Sequence, residues 1–196
     1  MNNFEILFNL IVHPLYALRR EDRSLGLAVV VVIAALWSSI AGNYLIRGNP
    51  VNTTFFSFNI IFSVITMLFF IVLQVSLWHF ISESFKGKGK VSELFLCVCL
   101  SFLPFIFFAP MALIMNFLSI NTTFFWLFFR FFIFVWVAVL QIYSIRVVYE
   151  LNGPQAVLTY FIPFSVMFFV LFLIMIFAVM FIAVTASGMF MPLMEL

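Results

Sequence analysis

The chain has 196 residues, 66% of them hydrophobic and 8% charged, with 31 phenylalanines and a mean hydropathy of +1.28. Its 9 basic and 7 acidic residues leave a net charge of +2. A soluble domain carries about 25% charged residues, so this composition cannot cover a water-facing surface and excludes a soluble globular protein.

A backbone that crosses a bilayer must satisfy its own hydrogen bonds, as helices or as a closed barrel. The apolar stretches are continuous and do not alternate, which selects helices. The first residues lack the basic region and small-residue cleavage site of a signal peptide. Residues 4–18 (FEILFNLIVHPLYAL) place Glu5, Asn9 and His13 four apart as one polar stripe among apolar neighbours. This segment is too short and too polar to span, and it predicts an interfacial amphipathic helix bent near Pro14. His13 then faces solvent or headgroups, with a titrating switch as the sharper alternative.

A charged collar follows, with Arg19, Arg20 and Arg23. The predicted first span runs over about residues 26–46, and Trp37, Ser38, Ser39 and Gly42 give it a small, polar face suited to helix packing. The second covers about 55–81, with Gln74 inside and Trp78 and His79 near its end. The loop SESFKGKGK leads into the third span, about 91–118, where Pro104 and Pro110 predict a kinked or broken helix whose freed carbonyls need partners. Cys97 and Cys99 lie in this span without a nearby His or carboxylate, and read as small buried hydrophobes. The fourth span covers about 124–148 and contains Arg130 and Gln141; the fifth covers about 157–186, where Pro163 near its start predicts a further kink. The expectation is one all-α integral membrane domain, residues 1–196, with five transmembrane helices plus the interfacial helix.

Basic residues concentrate in alternate loops. Arg19, Arg20, Arg23, Lys86, Lys88, Lys90 and Arg146 share one side of the predicted topology, and Arg47 falls on the other. The positive-inside rule therefore places the N-terminus in the cytoplasm and the C-terminus outside.

The string NTTFF occurs at 52–56 and again at 121–125, each time at the outer start of an even-numbered span. Val72-Leu73-Gln74-Val75 then matches Val139-Leu140-Gln141-Ile142, and the segment Val98–Phe105 matches Val157–Phe164, each with a proline at its seventh position. Three landmarks in one order predict two helix-hairpin repeats, both starting outside and hence parallel. As an N-glycosylation acceptor NTTFF lies too close to the membrane; as a helix start, Asn and Thr cap exposed N–H groups.

Candidate chemistry is sparse. No Asp or Glu lies in a span core, and histidine is absent from mid-membrane. Nucleophile-elbow, zinc-protease and phosphate-loop patterns are missing, so neither catalysis nor proton-coupled transport is expected, nor any cofactor or metal. Gln74 and Gln141 can act as interhelical hydrogen-bonding glue or line a polar cavity or lipid path. Arg130 can snorkel to the outer headgroups, or meet a lipid phosphate or an internal partner such as Asn116. The loop Lys86-Gly87-Lys88-Gly89-Lys90 reads as a basic, flexible topology signal that also sits on anionic headgroups, with a soluble acidic partner as the alternative. No basic domain or aromatic platform suggests nucleic acid.

A short apolar N-terminal helix (NLIVHPLYALRRED) precedes the five spans. A Gly-containing loop leads into a span bearing Leu103-Pro104, and a later span ends in Leu140-Gln141-Ile142-Tyr143-Ser144 before Arg146 and LNGPQAVLTYFIP. On these residues the chain resembles the Yip1 family of small five-span membrane proteins, and its compact bacterial branch most. The resemblance covers about residues 4–186. It lacks the long N-terminal region with the acidic Tyr-Gly-Pro motif of eukaryotic members, so their partnership with Rab GTPases does not carry over. What the resemblance implies is a bacterial inner-membrane protein without a defined role. Two functions compete: a non-enzymatic protein that organises lipid or binds membrane partners, or a small oligomeric transporter for a lipid or solute. The expected partners are membrane lipids and a second copy or another membrane protein.

Overall fold

A computed structural model of the chain describes residues 24–47, 53–118 and 122–190. The predicted interfacial helix with Glu5, Asn9, His13 and Pro14, and the arginines Arg19, Arg20 and Arg23, lie outside the described residues.

The elements in order are α1 (Leu25–Arg47), α2 (Thr53–Ser84), α3 (Val91–Ser101), a 3-10 turn (Leu103–Phe107), α4 (Phe108–Phe117), α5 (Thr122–Tyr149) and α6 (Gly153–Phe190). Five stretches are long and apolar enough to cross a bilayer: Leu25–Ile46, Ile60–Ser84, Val91–Phe117, Phe124–Tyr149 and Gly153–Ile182. The all-α, five-span architecture read from composition is the one observed. Both NTTFF strings start helices at the same place, since α2 begins at Thr53 and α5 at Thr122, each the residue after the string's Asn.

By contacts the chain divides into two units, Met1–Thr159 and Tyr160–Leu196, where the sequence predicts one domain. The boundary falls inside α6. In the second unit the described chain is helical to Phe190, and near its start the Tyr160 ring meets Phe161 and Phe164 at 5.2 and 5.5 Å between centroids.

In the first unit the third span is the most buried of the five. α1 packs chiefly on α4 and the 3-10 turn, and α3 packs on α5, α2 and α1. Ala35, Phe105, Phe108, Ala112, Trp126 and Ile133 form one apolar cluster, and Val31, Cys97, Leu100 and Leu103 another. The C-terminal half of α3 is buried on every side, from Cys97 to Ser101, so both cysteines are buried although they lie on nearly opposite faces of the helix.

The proline-bearing third span is broken as predicted. α3 ends at Ser101, and Pro104 is the second residue of the 3-10 turn, where its missing N–H is tolerated. Pro110 is the third residue of α4, inside the first turn, where a helix leaves its N–H groups unpaired anyway. The groups freed at the break are met from α1. The Ser38 hydroxyl donates to the Ile106 carbonyl at 2.7 Å and accepts from the Ala109 N–H at 2.9 Å. Gly42, one turn further, lets α1 approach so closely that a Cβ there would stand 2.9 Å from the Phe108 carbonyl oxygen. Ser38 and Gly42 share this face, but Trp37 does not: it lies about 100° round the helix and is exposed. Ser39 is half-buried and offers its carbonyl to the Asn43 amide at 2.9 Å.

Pro163 behaves differently. It sits inside α6, which continues through it without interruption. The matched segments of the repeat thus diverge locally. In the third span two prolines lie six residues apart and Ser38 bonds to the groups between them; in α6 Pro154 is confined to the first turn and Pro163 is the interior proline.

Candidate functional site

The most constructed feature outside the core is the loop after α2. Just past the end of α2, Lys86 holds the left-handed region at φ 63°, and the Gly87 N–H closes back on the Ser82 carbonyl at 3.0 Å. The Lys86 N–H reaches Glu83 O at 2.8 Å. These two bonds make a Schellman cap. α5 ends similarly, with Glu150 at φ 55° and the Leu151 N–H on the Arg146 carbonyl at 3.2 Å. The two even-numbered spans therefore share a start, at NTTFF, and a stop. In both, a charged residue holds the left-handed position that glycine usually takes.

The glycines of the loop do something other than confer flexibility. A Cβ on Gly87 would stand 2.9 Å from the Tyr149 Cβ, and one on Gly89 would overlap the Val148 carbonyl oxygen. The loop backbone is laid directly on the C-terminal end of α5. The segment that reads from sequence as flexible is packed here: the alternation of Gly and Lys is an alternation of contact and projection. Gly87 and Gly89 face α5, while Lys86, Lys88 and Lys90 are exposed. Lys90 immediately precedes α3 as its N-cap residue, and its ammonium lies 3.7 Å from Glu93 in an exposed pair. Arg146, in the last turn of α5, is exposed as well.

Beneath the loop, α2 and α5 are joined by a polar contact that sequence reasoning missed. His79 Nδ1 lies 2.7 Å from the Tyr149 hydroxyl, and His79 Nε2 lies 3.3 Å from Glu83 Oε1. A neutral imidazole satisfies both when Nε2–H donates to Glu83 and Nδ1 accepts the Tyr149 O–H. Tyr149 is 1% exposed, so its ring supports the loop glycines while its hydroxyl reaches α2. The available signal was position: His79 and Tyr149 each lie within two turns of the end of an even span.

The remaining polar candidates are not gathered into one place. Gln141 is buried in the first unit, at 4% exposure. Gln74 is half-buried and lines a groove of about 400 Å³ with Ser63, Thr66, Met67, Phe70 and Phe102. No hydrogen bond joins the two glutamines among the described residues. Asn116 donates to the Leu45 carbonyl at 2.9 Å, bracing α4 against α1 instead of meeting Arg130. Arg130 is exposed and lies over the Phe134 ring, 5.7 Å from its centroid. Among the described residues, no group of three His, Cys, Asp or Glu side chains is arranged to hold a metal.

Residues 8–175 match the Yip1 domain, which is most of the chain. The chain belongs to the Yip1 domain family. No curated protein and no solved structure matches it. Family and fold together make it a multi-pass, Yip1-like integral membrane protein.

Proposed function

We propose that this Yip1 domain protein is non-enzymatic and organises anionic lipid at one face of the membrane, through the basic loop between α2 and α3. The observation that carries the reading is the seating of Gly87 and Gly89 on Val148 and Tyr149, which fixes three lysines outward. A loop that served only as a topology signal needs the charges but no such fit. Lys86 adds to the argument: it holds a left-handed conformation that costs a lysine roughly 1–2 kcal/mol, in a loop with glycine available next door. Each lysine near an anionic surface contributes about 1 kcal/mol. The positive-inside rule puts this loop in the cytoplasm and the C-terminus outside, and a bacterial inner membrane is the setting that fits the compact family branch.

The test is reconstitution in mixed phosphatidylglycerol and phosphatidylcholine bilayers with spin-labelled lipids. The protein should immobilise phosphatidylglycerol preferentially, and the triple variant K86E/K88E/K90E should lose that preference. An unchanged preference would reduce the loop to a topology signal.

The groove around Gln74 favours a second reading, a path for a lipid or small solute along α2. Three neutral polar residues, Ser63, Thr66 and Gln74, share it with aromatic walls. Labelling of engineered cysteines at Gln74 and Gln141 separates this from simple helix packing.

A further inference from the structure

A second cavity, of about 470 Å³, lies where the start of α1 meets α2 and the start of α3. Leu25, Val72, Val75, Val91 and Phe95 line it. Its volume falls in the range of about 300–1,000 Å³ usual for small-ligand sites. Two serines, Ser76 and Ser92, are the polar side chains of a wall otherwise apolar, and the Ser76 hydroxyl already donates to the Val72 carbonyl at 2.8 Å. The slot therefore asks for apolar contact and offers little to a hydrated solute, unlike the groove around Gln74.

Its position supplies the charge. Leu25 and Val91 are the first residues of α1 and α3, so the slot reaches the level where these helices begin. Val91 follows Lys90 directly, and the Lys90 side chain is 79% exposed. Glu93 lies 3.7 Å from the Lys90 ammonium, but both are solvent-exposed, and such a pair leaves the lysine free to exchange partners. Lys86 and Lys88 precede on the same fixed loop, and in sequence Arg23 stands two residues before Leu25.

We propose that this slot holds one acyl chain of an anionic phospholipid whose phosphate is met by Lys90. The proposal rests on the lipid-organising reading above and narrows it from a charged surface to a single site. Charge complementarity selects the occupant. A phosphodiester answers the basic rim, whereas a second copy docked here about a twofold axis would bring its own lysines against these. The apolar walls take the chain, and the loop, fixed on α5, keeps the ammonium at the headgroup level.

Native mass spectrometry of the full-length protein tests it, with phosphatidylglycerol and phosphatidylcholine of identical acyl chains as probes. The wild type should retain one phosphatidylglycerol at least tenfold more tightly than phosphatidylcholine. Ser76→Trp fills the slot without touching a charge and should abolish that retained lipid. Leu25→Trp, at an exposed helix start, serves as a second obstruction should Ser76→Trp fail to fold, which thermal unfolding would reveal. Equal retention of the two lipids would overturn the proposal, as would full retention by a folded slot-filled variant. A dimer in place of the lipid adduct would also overturn it, giving the slot to a second copy. Loss of the spin-label preference in K86E/K88E/K90E, with no slot-dependent lipid in the wild type, would leave the proposed function standing and remove only this site.

Discussion

Ser38 bridges to Ile106 by a 2.7 Å hydrogen bond that ties α1 to the broken third span. The same hydroxyl accepts from Ala109 at 2.9 Å, so one side chain serves both the 3-10 turn and α4. Ser38→Ala would leave a carbonyl and an N–H in the apolar interior without partners. The expected loss is about 1–3 kcal/mol, seen as a lower unfolding temperature in detergent. Faster hydrogen exchange at the Ala109 amide should accompany it. A variant with wild-type exchange would mean that the break satisfies itself.

The fit of the basic loop on α5 makes a sharper demand. Gly89→Ala places a methyl group into the Val148 backbone, which cannot move aside as a side chain can. The loop must lift, and trypsin should then cut at Lys86, Lys88 or Lys90 much faster than in the wild type. Lys88→Gln is the control, since it changes charge without changing the fit. Equal digestion of Gly89→Ala and wild type would show that the loop does not need this contact.

What the sequence made legible follows from which forces act locally. The five spans came from apolar length alone, because a bilayer imposes that length on any crossing helix. NTTFF was readable as a helix start because residue preferences at helix starts act within one turn. The break at Pro104 was readable because proline removes an N–H wherever it sits; that Pro163 causes no interruption was not, because the outcome depends on neighbours. Gly87 and Gly89 were misread for the same reason. A glycine that bends a chain and a glycine that admits a neighbouring backbone look alike until the neighbour, here Val148 and Tyr149, is in place. His79 with Tyr149 is a contact across 70 residues of sequence, and no local pattern announces it.

Glu150 offers a test of the shared helix stop. At φ 55° it holds a conformation that glycine adopts freely. Glu150→Gly should raise the unfolding free energy by up to about 1 kcal/mol, provided the Leu151 N–H keeps its bond to Arg146. Lys86→Gly should gain similarly, at φ 63°, while weakening the preference for anionic lipid. A gain in stability with a loss of lipid preference would show that the lysine is kept for its charge. Destabilisation by both glycines would show that the side chains themselves hold the caps.

The His79–Tyr149 contact is open to a double-mutant cycle. Tyr149→Phe removes only the hydroxyl, and His79→Phe removes the acceptor while keeping an aromatic ring. Each single change should cost about 0.5–1.5 kcal/mol. The double variant should cost less than the sum, because each partner's loss already abolishes the bond. Additive costs would mean that the two groups stabilise the helix ends independently. Tyr149→Phe should also leave trypsin sensitivity of the loop unchanged, since the ring that supports Gly87 remains.

The two glutamines that the repeat equates should behave as opposites. Gln74 lines an open groove on α2, whereas Gln141 is 4% exposed on α5. Native thiols give little background, since Cys97 and Cys99 are both buried. A membrane-permeant maleimide should therefore modify Gln74→Cys and spare Gln141→Cys. A charged, impermeant thiosulfonate then reports whether the groove is wet. Modification of Gln74→Cys by the charged reagent would support a solute path along α2. Reaction with the permeant reagent alone would describe a lipid-filled groove, in keeping with the lipid-organising reading. Equal reactivity at both positions would contradict the burial of Gln141 and favour a polar cavity lined by both glutamines.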